Sequence, residues 1–144
     1  MQYSKIGLKQ LTEAFEKCRL VAYWDALGKV WTIGWGHTGP EVVEGLVWSQ
    51  EQCDVQLLTD TQHAQDCVNA SVWVPITQGE FDALVDFTFN VGCSAFLKST
   101  MLKMINAGAY QTAAKEFEKW VYAGGQKVAG LLRRRLAEEA VFNQ

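Results

Sequence analysis

Glu16, Asp25 and Thr32 place an acid, a second acid and a hydroxyl within seventeen residues. Two acids in different surroundings, with a neutral hydrogen-bonding group beside them, suit the cleavage of a glycosidic bond. One acid delivers a proton to the departing oxygen, and the other activates water or steadies the charge growing at the anomeric carbon. Glu16 falls at the border of a helix's apolar stripe, a half-sheltered place that fits the proton donor. Asp25 falls on an open turn, which fits the charged partner. Thr32 can hold a water between them. Spacing alone says little, because acids stand nine residues apart in many domains, and the competing reading is a pair of solvated surface acids.

The elements that must position these groups follow from the apolar pattern. Residues 4–16 read as a helix capped by Ser4, with Leu8, Leu11 and Phe15 on one stripe; Glu13 turns to solvent and Glu16 to the edge. From Arg19 to about Gly39 the period changes to two. Trp31, Ile33 and Trp35 share a bulky face, and Thr32, Gly34 and Gly36 share an open one, where missing side chains leave a hollow for a ligand. The stretch DALGK supplies the hairpin turn.

Ser49 opens a second helix with a capping box, continuing to about Asn69. After Pro75, a second box at Thr77 to Glu80 opens a strongly apolar helix ending near Gly92. Three more helices are predicted, over about 99–107, 110–122 and 131–142. The class is α+β: one helix, a small N-terminal sheet, then five helices. A chain of 144 residues is one domain in size. We expect two lobes, roughly 1–68 and 69–144, with a cleft between them.

Thirteen Lys and Arg against sixteen Asp and Glu give a net charge of −3, which offers no positive field for nucleic acid. The N-terminus has no uninterrupted apolar core and no run approaches twenty apolar residues, so neither a signal peptide nor a membrane anchor is expected. Accumulation in the cytoplasm is the expectation that follows. Cys18, Cys53, Cys67 and Cys93 form no C-x-x-C pair and only two histidines accompany them, so neither metal nor cofactor is expected. Buried free thiols are the favoured reading of the cysteines, and a disulfide formed outside the cytoplasm is the alternative.

The segment EKCRLVAYWDALGKVWTIGWGHTG resembles the catalytic segment of the phage-type lysozymes, the endolysin muramidases of glycoside hydrolase family 24. Glu16, Arg19, Leu20, Tyr23, Asp25, Gly28, Thr32, Ile33, Gly34, Gly36, His37 and Thr38 stand at matching places. The resemblance continues in FDALVDFTFNVG, STML, WVYAGGQ and GLLRRR, so nearly the whole chain is covered. It implies a two-lobed lysozyme-like fold. It also implies hydrolysis of the β-1,4 bond between N-acetylmuramic acid and N-acetylglucosamine in peptidoglycan glycan strands, with inversion. Glu16 would be the general acid, and Asp25 and Thr32 would handle the water. By the same analogy the protein would wait in the host cytoplasm as a monomer, pass through a holin pore and attack the wall from the periplasmic side. A lytic transglycosylase and an inactive wall-binding homologue are the competing readings.

The chain departs from the family pattern at two places. Lys17 stands where many members have glycine, which costs about 1 kcal/mol if the left-handed geometry is kept. One extra residue lies between Gly28 and Thr32, to be absorbed by a longer turn or a bulge. His37 is expected to brace the sheet by bonding a buried acid. Trp31, Trp73 and Trp120 are expected in the core, with Trp24 or Trp35 as the alternatives for lining the cleft. Asn90 reads as a helix-end cap or a substrate contact. The run Arg133 to Arg135 reads as a solvated face, unless one member pairs with an N-terminal acid or holds a substrate carboxylate. Gly34, Asn90 and Arg135 are taken as the substrate-binding set.

Overall fold

The computed structural model describes residues 1–144. Ser4 opens the first helix as predicted, its Oγ accepting from Gly7 N, and helix α1 spans residues 5–16 with a π-helical stretch at Leu8–Thr12. The wider turn shifts the helix phase, so Gly7, Leu11 and Thr12 are buried while Leu8 is half-buried. The helix ends at Glu16 because Lys17 swings to φ 46°, the left-handed conformation its position demands.

A three-stranded antiparallel sheet follows, ordered β1 (Arg19–Asp25), β2 (Val30–Gly34) and β3 (His37–Thr38). Tyr23 pairs with Thr32 and Asp25 with Val30, so the extra residue falls in the turn 26–29, which Lys29 closes at φ 53°. Ile33 is fully buried with Ala22 and Val42, and Trp31 and Trp48 pack against them. Helix α2 (Gln50–Ser71) starts at the predicted capping box of Ser49 and Gln52 and runs beneath the sheet into the helical part of the molecule.

Helix α3 (Gln78–Val91), capped by Thr77 and Glu80, is the centre of the main core. Its Phe87 meets Phe117 and Trp120 edge-on at 5.5 and 5.2 Å, contacts worth about 0.5–1.5 kcal/mol each beyond burial. Helices α4 (Cys93–Leu97), α5 (Thr100–Asn106), α6 (Tyr110–Lys115) and α7 (Ala129–Phe142) surround it. The α+β class stands, with two additions. Helix α4 has only five residues and no capping signal, and it escaped sequence reading. The helix expected over 110–122 gives way to a 3-10 turn at Glu116–Lys119 and a small hairpin, β4 (Tyr122–Ala123) with β5 (Gln126–Lys127). Gly124 and Gly125 supply the positive φ its turn needs.

Three further expectations are corrected. Residues 1–16 dock on the helical part, not on the sheet: Ser4 Oγ bonds Asp82, Tyr3 N donates to Gln65 Oε1 at 2.9 Å, and Thr12 Oγ1 donates to Asp86 Oδ1 at 2.7 Å. The polar groups of residues 3–12 find their partners on α2 and α3. Cys67 and Cys93 form a disulfide joining α2 to α4, leaving Cys18 and Cys53 as the free thiols. Trp73 is 81% exposed on the α2–α3 connection, outside the core, whereas Trp31 and Trp120 pack as expected.

Candidate active site

Three elements meet around one hollow of about 500 Å³ between the sheet and the helical lobe. Glu16 enters from the end of α1, Asp25 from the end of β1 and Thr32 from the middle of β2. Thr32 is nearly fully buried, and its hydroxyl donates to Val30 O at 3.3 Å, leaving its oxygen lone pairs free to accept. Leu27 N donates to Asp25 Oδ1 at 3.1 Å, an Asx-type bond that holds the carboxylate at the mouth of the turn. Tyr23 lines the same hollow; burial, then the charges of Asp25 and Glu16, push its phenol above the ordinary value.

The Glu16 side chain is 19% exposed, which agrees with a place at the edge of the core. Arg134 NH1 donates to its Oε1 at 2.6 Å. Its Oε2 faces Gly36, where a Cβ would stand 2.9 Å from Glu16 Cδ and closer still to that oxygen. Gly36 also has φ 80°, so glycine is required there both for conformation and for the close approach of the acid. Sequence reading had placed Gly36 only on the open face.

Arg134 is held in turn by Asp86, which accepts from Nε at 3.0 Å and from NH2 at 2.9 Å in a bidentate fork. Burial works to raise the Asp86 carboxyl, but the Arg134 charge and its hydrogen bonds outweigh it and hold Asp86 below the usual carboxylate range. Glu138, fully buried beside the two arginines, is pushed well up by burial and by Asp86. The favoured reading of the run as a solvated face is therefore corrected: the alternative, a pairing with an N-terminal acid, is present, and the arginine is Arg134. A solvated face describes only Arg133. Leu131, Arg134, Arg135, Glu138 and Phe142 follow one helical stripe, and that period was the available signal that two charges of the run turn inward.

The expected substrate-binding set fares unevenly. Gly34 is buried against Cys53 and Trp48, where a Cβ would meet Sγ at 3.4 Å, so it faces α2 and not the hollow. Gly34 ends β2 at φ 64°, outside the extended range, so simple alternation no longer sets the face it presents. Arg135 has no accessible surface; it backs the second, adjoining hollow and reaches the first through its hydrogen bond to Asn90. Asn90 does line the hollow; the helix cap is Gly92 at φ 95°, two residues on. His37 bonds two acids, with Nδ1 2.7 Å from Asp60 Oδ2 and Nε2 2.6 Å from Glu41 Oε1, but neither is the buried acid expected: Asp60 is half-buried and Glu41 exposed. Burial opposes the charge of His37, but the bonds to Glu41 and Asp60 prevail and raise it above the ordinary histidine value. Neither Trp24 nor Trp35 lines the hollow, and Trp35 Nε1 donates to Asp54 at 2.8 Å.

A second hollow of about 960 Å³ adjoins the first, and Asp25 and Asn90 border both. Together they form a trough with a waist between the β1 turn and the end of α3. An acid with one oxygen clamped, a second acid and a buried hydroxyl thus line one hollow of a fold with a small sheet and a larger helical part.

Comparison with known proteins agrees. The sequence profile described as "Phage lysozyme" matches residues 13–138, and the chain belongs to that family. It is 41% identical to an endolysin of Bacillus phage PZA over 99% of its own length and 55% of the relative's, so it spans about half of that protein. It is 40% identical to the endolysin of Salmonella phage P22, covering 99% of this chain and 98% of the relative. Among solved structures, the muramidase domain of SpmX from Asticaccaulis excentricus superposes with a TM-score of 0.89 at 35% identity, covering 99% of this chain and 98% of that one. Some relatives are described as SAR-endolysins, among them that of Escherichia phage Mu. No helix of this structure is long and apolar enough to cross a membrane.

Proposed function

We propose that this protein is an endolysin muramidase, hydrolysing the β-1,4 bond between N-acetylmuramic acid and N-acetylglucosamine of peptidoglycan by the inverting route of glycoside hydrolase family 24. The observation that carries this reading is the convergence of Glu16, Asp25 and Thr32 on one hollow from three different elements. Glu16 Oε2 bears the proton and gives it to the glycosidic oxygen as the bond breaks, while Arg134 fixes the carboxyl by its other oxygen. A water accepted by Thr32 attacks the anomeric carbon from the opposite face, and its proton passes to Asp25. The proton lost by Glu16 and the one gained by Asp25 balance over the turnover.

Arg134 is a buried cation that orients the acid without sharing in the chemistry. Inversion needs room for the water, a carboxyl separation of about 6.5–9.5 Å. In its setting the enzyme would act as a monomer that reaches the wall after a holin opens the membrane, having waited in the host cytoplasm.

The test is release of soluble fragments from purified cell walls, with the mass and first-formed anomer of the product read together. Hydrolysis with inversion yields a hydrated reducing end whose first-formed anomer is α. Anhydro ends would establish a lytic transglycosylase instead. Equal release by wild type and Glu16→Gln would exclude Glu16 as the acid.

A further inference from the structure

Helix α7 carries two buried arginines side by side, and each reaches a different group at the trough. Arg134 holds Glu16, and the proposal concerns its neighbour. Arg135 is fully buried, with its guanidinium 5.1 Å over the Phe87 ring and its Nε 2.8 Å from Glu138 Oε2. Its NH2 donates to Asn90 Oδ1 at 2.6 Å. A guanidinium has donors only, so it accepts one orientation of the Asn90 amide: carbonyl inward to Arg135, amino group outward. The Asn90 Nδ2 has no partner within the protein, and Asn90 borders both hollows, as Asp25 does.

We propose that Arg135 is a positioning residue that locks Asn90 as a hydrogen-bond donor for the acetamido carbonyl of a sugar at the waist, making the N-acetyl group a specificity determinant. This rests on the glycan-cleaving function proposed above. The chemistry selects the ligand group. A locked amino group offers two donors and no acceptor, and the acetamido carbonyl is a stronger acceptor than the ring or glycosidic oxygens, which also only accept, whereas a hydroxyl is served equally well by either face of the amide. The flanking Phe89 and Val91 offer apolar surface for the acetamido methyl. The adjacent Arg134 contact shows why one helix can set both groups: a buried stripe at i and i+1 on α7 points at α1 and at the end of α3.

The test is a cycle of enzyme variant against substrate, using glycan strands as isolated, the same strands chemically de-N-acetylated, and those strands re-acetylated. Wild type is expected to lose about five- to tenfold in kcat/KM on the de-N-acetylated strands, mostly in KM, and to recover on re-acetylation. Asn90→Asp keeps an oxygen for Arg135 but turns an acceptor to the trough. It should lose a similar factor on acetylated strands and show no further loss, or a gain, on the de-N-acetylated ones, whose ammonium it can accept. Arg135→Gln should raise KM on acetylated strands with kcat nearly constant, and Arg135→Lys, still a donor to Asn90, should recover part of the loss.

Equal losses on de-N-acetylation for wild type and Asn90→Asp would overturn the proposal, as would a folded Arg135→Gln with unchanged KM. Should Arg135→Gln fail to fold, the Asn90→Asp arm decides alone. If wild type cleaves none of the three substrates, the function proposed above has failed, an outcome distinct from equal losses in an active enzyme.

Discussion

Replacing Arg134 by methionine removes the cation that Asp86 and Glu16 share. The Arg134 side chain is 5% exposed and that of Asp86 is fully buried, so the variant strands a carboxylate whose remaining hydroxyl donor is Thr12 Oγ1 at 2.7 Å. Leaving one member of a buried pair uncompensated costs about 3–5 kcal/mol, or about 10–15 °C in Tm for a domain of this size. The pH dependence gives the sharper signature. In the wild type Asp86 is held low, so its stabilisation is present above the unfolded carboxylate value and is lost as pH falls through its depressed native value. In the variant burial acts without the cation, Asp86 takes up a proton far more readily, and the gap to wild type narrows as pH falls from about 7 toward about 4. Urea titrations of both proteins across that range provide the assay. Adding Asp86→Asn to Arg134→Met should recover much of the loss, because the fully buried carboxylate is then gone and only the partly exposed Glu16 has lost its cation. A gap below about 1 kcal/mol at neutral pH, or one that does not change with pH, would refute the reasoning.

Gly36→Ala is expected to reduce kcat by at least about tenfold while the chain stays folded, because the new methyl occupies the place of Glu16 Oε2 and the φ of 80° is strained for alanine; wall-release kinetics beside a thermal melt check both halves. His37→Asn should lose the stability that wild type gains from the Glu41 and Asp60 contacts. The raised histidine contributes fully below its unfolded value of about 6.5, and that contribution disappears as pH rises through the native value, so the two proteins should converge in alkali. A difference that instead grows with pH would show the pair misassigned. Reducing Cys67–Cys93, or replacing both by alanine, should lower stability by about 3.5 kcal/mol from loop closure alone, given the separation of 26 residues; denaturant midpoints with and without reductant measure it.

The sequence by itself determined the starts of three helices capped by side chains, the strand period and which three polar groups to consider for the chemistry. Ser4, Ser49 and Thr77 cap the helices they were read to cap, because capping depends on residues three apart along the chain. Glu16, Asp25 and Thr32 lie within one hairpin's reach, so a local pattern sufficed to bring them to attention. The tertiary structure alone decided what acts on them. Arg134 meets Glu16 across 118 residues, and Asp86 meets Arg134 across 48. No local rule ranks Arg134 against Arg135, since adjacent residues on one stripe point about 100° apart and the neighbouring elements choose between them. The disulfide and the docking of residues 1–16 on the helical lobe escaped for the same reason. Each is a choice among long-range partners: proximity in the fold selects the cysteine pair, and the buried polar groups of α2 and α3 select residues 1–16.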